Sequence, residues 1–182
     1  MAKRIRLTTL IIGTLLFFVT CLSFFVSSND TGPVSAVIKV DEEFSPEIGA
    51  IRSIQAFEDK IRAEIVERKL SGIEIPVLVD DYVRNKFYNE YSYIPWHDNW
   101  VLAFVDKLFP TLYLTGHMRP EELIRFNYAI CNQQALVFQK VVENFGFEYG
   151  SVRFTSPDFG HFAAAAKVDE HWYFFDPNLE PE

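Results

Sequence analysis

The sequence predicts an α+β fold in which helices pack against a small antiparallel sheet, preceded by one N-terminal transmembrane helix. Three observations predict this fold. Residues 7–26 form an uncharged apolar run. Apolar residues then recur with helical spacing as far as Gly146, and the pattern after Gly146 predicts short strands. Because helices come first and strands last, we expect them to form separate parts of one domain.

The apolar run at residues 7–26 is long enough to cross a hydrocarbon core of about 30 Å as a helix. Basic residues flank it only on the N-terminal side, within residues 1–6, so the charge bias predicts a cytoplasmic N-terminus. A cleaved signal peptide is the alternative, although its apolar region normally spans only about 7 to 15 residues. We therefore expect an uncleaved anchor, then a linker at 27–45 and a periplasmic or extracellular domain at 46–182.

Composition narrows the class of protein. Eighteen Phe residues indicate a packed body, and a formal net charge of -8 disfavours nucleic acid as a partner, because that binding needs basic surface. The chain has two cysteines, and Cys21 lies inside the apolar run, so no disulfide framework is expected. The other, Cys131, is then a lone thiol in an oxidising compartment, which by itself mildly favours a catalytic use. Taken without its neighbours, however, Cys131 is better explained as a small buried apolar side chain.

Helical spacing and capping residues predict the first part of the domain. The expected elements are a helix capped by Ser45 and Pro46 that ends near Gly72, helices at 77–91 and 98–109, a short helical turn from Pro120, and a helix from Cys131 that stops at Gly146.

The C-terminal part predicts three strands, at residues 147–154, 161–168 and 171–176. If Asp169 and Glu170 form a two-residue turn, the hairpin register follows, and Asp176 lies across from Ala163. Side chains alternate between the two faces of a sheet, so Asp176 then shares a face with His161. A register slip of one residue would separate them.

Three residues of this region suggest nucleophilic chemistry. Cys131 opens a helix, where unpaired N–H groups and the positive end of the helix dipole stabilise a thiolate. A nucleophilic thiol also needs a base and a group that orients the base, and His161 and Asp176 are the candidates. Taken singly, each has an ordinary explanation, as a strand histidine or a turn-forming aspartate.

The order of these residues resembles that of the transglutaminase-like superfamily of cysteine enzymes, which are papain-like in their core. The matching segments are YAICNQQALVFQKVVENFGFEYGSVRF and GHFAAAAKVDEHWYFFDPNLE, within residues 128–180, and they are most similar to bacterial envelope members. The resemblance implies a triad of Cys131, His161 and Asp176. Such folds usually add strands after the Asp strand, so we expect either a short sheet or a chain that is a fragment.

The resemblance also implies an activity. It would be thiol-dependent acyl transfer or hydrolysis of an amide or peptide, acting on a peptide, protein or glycan-linked substrate in the envelope. The oxyanion would be bound by the Cys131 N–H, with Gln133 or an upstream polar side chain as the candidate second donor. The alternative is a noncatalytic envelope module that binds peptide or glycan in the same groove.

No cofactor and no metal are expected. His97, His117 and His171 lack a companion Cys or carboxylate at the spacing of metal ligands.

Overall fold

The computed structural model describes residues 10–18, 44–94, 99–109, 115–156 and 159–178, and its fold is α+β. The elements in chain order are the helical residues 10–18 (α1), α2 (Pro46–Gly49), α3 (Ile54–Arg68), α4 (Glu74–Lys86), α5 (Trp100–Leu108), α6 (Pro120–Leu123), α7 (Cys131–Asn144), β1 (Glu148–Ser156), β2 (Phe159–Val168) and β3 (His171–Phe175).

The described residues belong to two compact units. The smaller unit holds α1 and the segment from Tyr93 to Gly116, which includes α5. The larger unit holds the described residues of 44–92 and 117–178, and with them every strand and every predicted site residue.

The predicted anchor at residues 7–26 is described only between residues 10 and 18, and these residues are helical. Among the described residues, no helix is both long and apolar enough to cross a membrane. The remainder of the predicted anchor, and the predicted linker as far as residue 43, lie outside the described residues.

Within the smaller unit, α5 begins at a side-chain cap, because Asn99 Oδ1 accepts the N–H of Leu102 at 3.0 Å. The helix lies inside the predicted range of 98–109. Its apolar side chains Trp100, Phe104 and Leu108 recur every fourth residue and are exposed.

The larger unit begins with two helices where one was predicted. Ser45 and Pro46 start α2 as expected, but α2 ends at Gly49. Ser53 then caps α3, its Oγ accepting the N–H of Ala56 at 3.2 Å. The single helix was wrong because Ser53 offers a second cap, so the chain can break and restart within one apolar repeat.

The helix from Cys131 is confirmed, and its end explains how the chain enters the sheet. The N–H of Gly146 bonds to the carbonyl of Glu143 at 2.9 Å, and the N–H of Phe147 bonds to that of Val142 at 3.0 Å. This is a Schellman motif, with Gly146 in the left-handed region at φ 90°. Because only Phe145 to Phe147 separate α7 from β1, the strand runs back along the helix.

The sheet is an antiparallel meander in the order β1-β2-β3. Asp169 and Glu170 both have positive φ, at 48° and 65°, which is the requirement of a type I′ turn. Val168 pairs with His171 and Ala164 with Phe175, so the predicted hairpin register is confirmed. The turn is local, which is why sequence was sufficient to predict it.

The core of the larger unit lies around α7, which packs against β2 on one side and α4 on the other. Phe138 is fully buried, and its ring lies 4.9 Å from that of Phe175. Ala164 and Ala166 are buried on β2, and their small side chains let the helix approach the strand closely. Other core residues are Phe57, Ile61, Val79, Val83, Leu123, Ile124, Val137, Val141 and Val142.

Lys86, the last residue of α4, is also fully buried. Its Nζ donates to the carbonyl of Gly49 at 2.8 Å and to Asn127 Oδ1 at 3.2 Å, so it connects α2 and the loop before α7 to α4. Burial, and secondarily the charge of Arg52, lower the pKa of Lys86 from its ordinary 10.5 to about 7.

This lowered pKa predicts a pH dependence of stability. Between about pH 7 and 10.5 the unfolded chain binds more protons at Lys86 than the folded chain, so the contribution of Lys86 to the free energy of unfolding rises with pH. Lys86→Met should flatten this rise, as measured by urea unfolding at a series of pH values. The control is Lys60→Met, which removes an exposed lysine paired with Glu47. The prediction would be contradicted if the free energy of unfolding rose with pH equally steeply in Lys86→Met and in the wild type.

Candidate functional site

His161 and Asp176 meet as the register predicts. His161 Nε2 lies 2.5 Å from Asp176 Oδ2, and both side chains are buried, with 7% and 6% of their surface exposed. A carboxylate so close to an imidazole favours the tautomer with its proton on Nε2 and stabilises the imidazolium. Because Asp176 uses Nε2, the other ring nitrogen, Nδ1, is the one through which His161 would exchange a proton with a nucleophile.

Asp176 is held by its own turn. It follows the last residue of β3, and its Oδ1 accepts the backbone N–H of Asn178 at 3.2 Å. This two-residue bond is an Asx turn, to which the buried Pro177 adds a fixed φ. One carboxylate oxygen therefore anchors the side chain while the other orients His161.

Cys131 is the first residue of α7 and is partly exposed. The first helical hydrogen bond runs from the N–H of Gln134 to the carbonyl of Ile130, at 2.9 Å. The N–H groups of residues 131–133 therefore have no acceptor within the helix, and they create positive potential beside the thiol.

Two contacts show how far along the sheet Cys131 lies. Gln139 Nε2 donates to the carbonyl of Gly150 at 3.0 Å, and Cys131 lies about 12 Å before Gln139 along the helix. On β1, Phe154 lies about 13 Å beyond Gly150 and pairs with His161. Because β1 runs back along α7, these equal distances bring the start of α7 level with His161.

The two faces of the sheet differ in what they contact. Ser151 and Phe175 both pair with Ala164, and both contact α7, through Gln139 at 2.9 Å and through the ring of Phe138. His161 is three residues from Ala164, so it lies on the opposite face, as does Asp176. β3 stops at Phe175, which pairs with Ala164, so His161 lies beyond the end of that strand.

Three exposed aromatic side chains lie on the same face of the sheet as His161, and one of them, Phe154, lies beside its ring. The ring of Phe154 stacks on the imidazole with centroids 6.2 Å apart and also meets the ring of Phe174 edge-on at 5.8 Å. The alanines of β2 on this face leave room for the rings to converge. Phe154 and Phe174 stay 46% and 49% exposed, and Trp172 on the same face is 54% exposed. We call Phe154, Trp172 and Phe174 the aromatic face.

Gln133 does not act as the expected second oxyanion donor. Its Nε2 donates to the carbonyls of Ser92 at 2.8 Å and His117 at 2.9 Å, so both amide protons are used. The side chain is fully buried. The sequence did not reveal these bonds, because Ser92 and His117 are distant in the chain and carry no motif.

Two buried polar atoms near the three predicted residues lack a hydrogen-bond partner within the described part of the chain. They are Asn132 Oδ1, directly after Cys131, and Asn178 Nδ2, two residues after Asp176. Such atoms are costly to bury unpaired. Sequence reasoning missed both residues.

The remaining histidines do not form a metal centre in the described structure. His117 is buried 3.4 Å from a carboxylate oxygen of Glu122, His171 is exposed, and His97 lies outside the described residues. Within the described ranges, no three His, Cys, Asp or Glu side chains are grouped to hold a metal ion. A pocket of about 270 Å³ contains none of the three predicted residues and is lined by Arg68, Leu70, Ile73, Glu74, Val77, Leu78 and Asp81.

No protein-family model matches this chain, and neither does a curated protein or a solved structure.

The buried pair predicts strong coupling between its members. In a double-mutant cycle with His161→Ala and Asp176→Ala, we expect a coupling free energy of at least about 1 kcal/mol, because each single change leaves a buried polar partner unsatisfied. The exposed pair of Lys60 and Glu47 is the control and should couple more weakly, because solvent screens exposed charges. Urea unfolding supplies all the free energies. Additive effects at His161 and Asp176 would refute the interaction.

Proposed function

We propose that this protein is a transglutaminase-like cysteine enzyme that transfers or hydrolyses acyl groups through Cys131, His161 and Asp176. The observation that carries the proposal is the buried hydrogen bond between His161 Nε2 and Asp176 Oδ2. This bond lies at one end of the sheet, and α7 begins level with that end. A base oriented by a carboxylate and a thiol at a helix start are groups that nucleophilic catalysis requires.

In the first half of the proposed reaction, Cys131 Sγ attacks the carbonyl carbon of a carboxamide or peptide, reaching His161 past the end of β3. His161 takes the thiol proton at Nδ1 and passes it to the leaving nitrogen as the C–N bond breaks. Asp176 keeps the Nε2 proton and stabilises the imidazolium. The N–H groups of residues 131–133 stabilise the oxyanion, and the product is a thioester on Cys131.

In the second half, water or an amine attacks the thioester, and His161 removes the proton of the attacking group. The C–S bond breaks, the proton returns to sulfur, and the acyl group leaves as an acid or a new amide. The acceptor decides between hydrolysis and crosslinking.

The aromatic face favours a second candidate, a noncatalytic envelope module that binds peptide or glycan. Exposed aromatic rings of this kind are common at binding sites. A binding module has no need of a reactive thiol, so the reactivity of Cys131 distinguishes the two candidates.

The reactivity prediction concerns alkylation of Cys131 by iodoacetamide at mildly acidic pH. The reaction in the folded protein should be faster than in the denatured chain, because His161 would accept the thiol proton as sulfur attacks. His161→Ala should slow it by about tenfold, and Asp176→Asn by less. Peptide mapping by mass spectrometry separates Cys131 from Cys21. A folded, accessible Cys131 that reacts like the denatured chain and ignores His161→Ala would exclude the enzyme and favour the binding module.

We also propose that residues 7–26 anchor the protein in a membrane, with the domain in the periplasm or outside the cell. The uncharged run and its one-sided basic flank support this orientation. Protease added to intact cells, or to spheroplasts where an outer membrane is present, should digest residues 46–182. If residues 46–182 stayed intact while a control protein exposed on the same side of the membrane was digested, the proposed orientation would be wrong.

A further inference from the structure

Gln133 is the most fully bonded polar side chain at the start of α7. It is fully buried, and its amide makes four hydrogen bonds. Its Nε2 donates to the carbonyls of Ser92 and His117, at 2.8 and 2.9 Å. Its Oε1 accepts the N–H groups of Ser92 and Ile130, at 3.0 and 3.2 Å. Both protons and both lone pairs of the amide are thus used.

These partners lie where separate parts of the chain converge. Ile130 directly precedes Cys131, so the bond to its N–H restrains the residue that sets the direction of the helix start. Ser92 and His117 also bond to each other, the N–H of His117 donating to the carbonyl of Ser92 at 3.2 Å. In the sequence, Ser92 directly precedes the segment from Tyr93 to Gly116, and His117 directly follows it. Gln133 therefore connects the two residues that flank this segment to the first turn of α7.

We infer that Gln133 is a positioning residue for Cys131, fixing the direction of the thiol and of the N–H groups of residues 131–133. The inference rests on the proposed function. Cys131 lies between Ile130 and Gln133, so a side chain that bonds back to Ile130 constrains both peptide planes around it. Rotation of the first turn would move Sγ relative to His161, and small displacements of reacting groups have large effects on rate.

The chemistry of the four partners explains why this position needs an amide. A carboxylate could accept the two N–H groups but could not donate to the carbonyls of Ser92 and His117. A methionine of similar length could do neither. Either substitution leaves buried backbone groups without partners, which the loops and the first helical turn must then relieve by moving.

Gln139 supplies a matched control on the same helix. It is also buried, and its Nε2 makes two hydrogen bonds, to the carbonyl of Gly150 at 3.0 Å and to Ser151 Oγ at 2.9 Å. It lies about 12 Å along the helix from Cys131 and contacts β1 rather than the helix start. Gln139→Met therefore removes buried hydrogen bonds from α7 without freeing the first turn.

The experiment compares Gln133→Met and Gln139→Met in the full chain, each with and without His161→Ala. Urea unfolding measures stability, and iodoacetamide alkylation of Cys131 across pH measures reactivity. Both single variants should be less stable than the wild type. Only Gln133→Met should also slow alkylation of Cys131 at mildly acidic pH, by at least about tenfold. When His161→Ala is added to Gln133→Met, the alkylation rate should fall by much less than when His161→Ala is made in the wild type.

A second measurement needs no substitution. In the wild type, hydrogen exchange at the amides of Ser92 and Ile130 should be as slow as in the middle of α7, because Gln133 Oε1 accepts both. Fast exchange at these two amides would overturn the inference even if Gln133→Met fails to fold.

The outcomes separate the two proposals. If wild-type Cys131 is activated by His161 and Gln133→Met changes its reactivity no more than Gln139→Met does, the positioning role is refuted and the proposed function stands. If wild-type Cys131 reacts like a denatured thiol and ignores His161, both are refuted.

Discussion

The packing of α7 on β2 is the contact on which the rest of the larger unit depends. Ala164 and Ala166 bring the helix close to the strand, and Phe138 fills the space beside them against Phe175. Burial of a side chain such as Phe138 contributes roughly 1.5–3 kcal/mol. Because the Schellman motif turns the chain directly from α7 into β1, this one contact also sets the level of the helix start relative to the strand ends.

The same alternation that builds the core determines the position of the candidate base. Each strand has one face toward α7 and one face away from it, and the apolar residues of β2 that contact the helix leave His161 on the other side. There, Nε2 of His161 bonds to Asp176, and the ring of Phe154 stacks on the imidazole.

Polar groups in the larger unit are buried where they join distant segments. Gln133 connects the first turn of α7 to Ser92 and His117, and Lys86 connects α4 to Gly49 and Asn127. The two differ in electrostatic cost. The neutral amide of Gln133 satisfies all its hydrogen bonds without charge, whereas burial of the Lys86 amine lowers its pKa.

The sequence by itself determined the local features of this protein: the α+β class, the helix that begins at Cys131 and ends before Gly146, and the hairpin turn whose register joins His161 to Asp176. Each depends on residues close together in the chain. Only the tertiary structure decided the partners of Gln133 and the face of the sheet on which α7 packs. These depend on contacts between distant residues, such as Gln133 with Ser92, whose distance and direction no local pattern specifies.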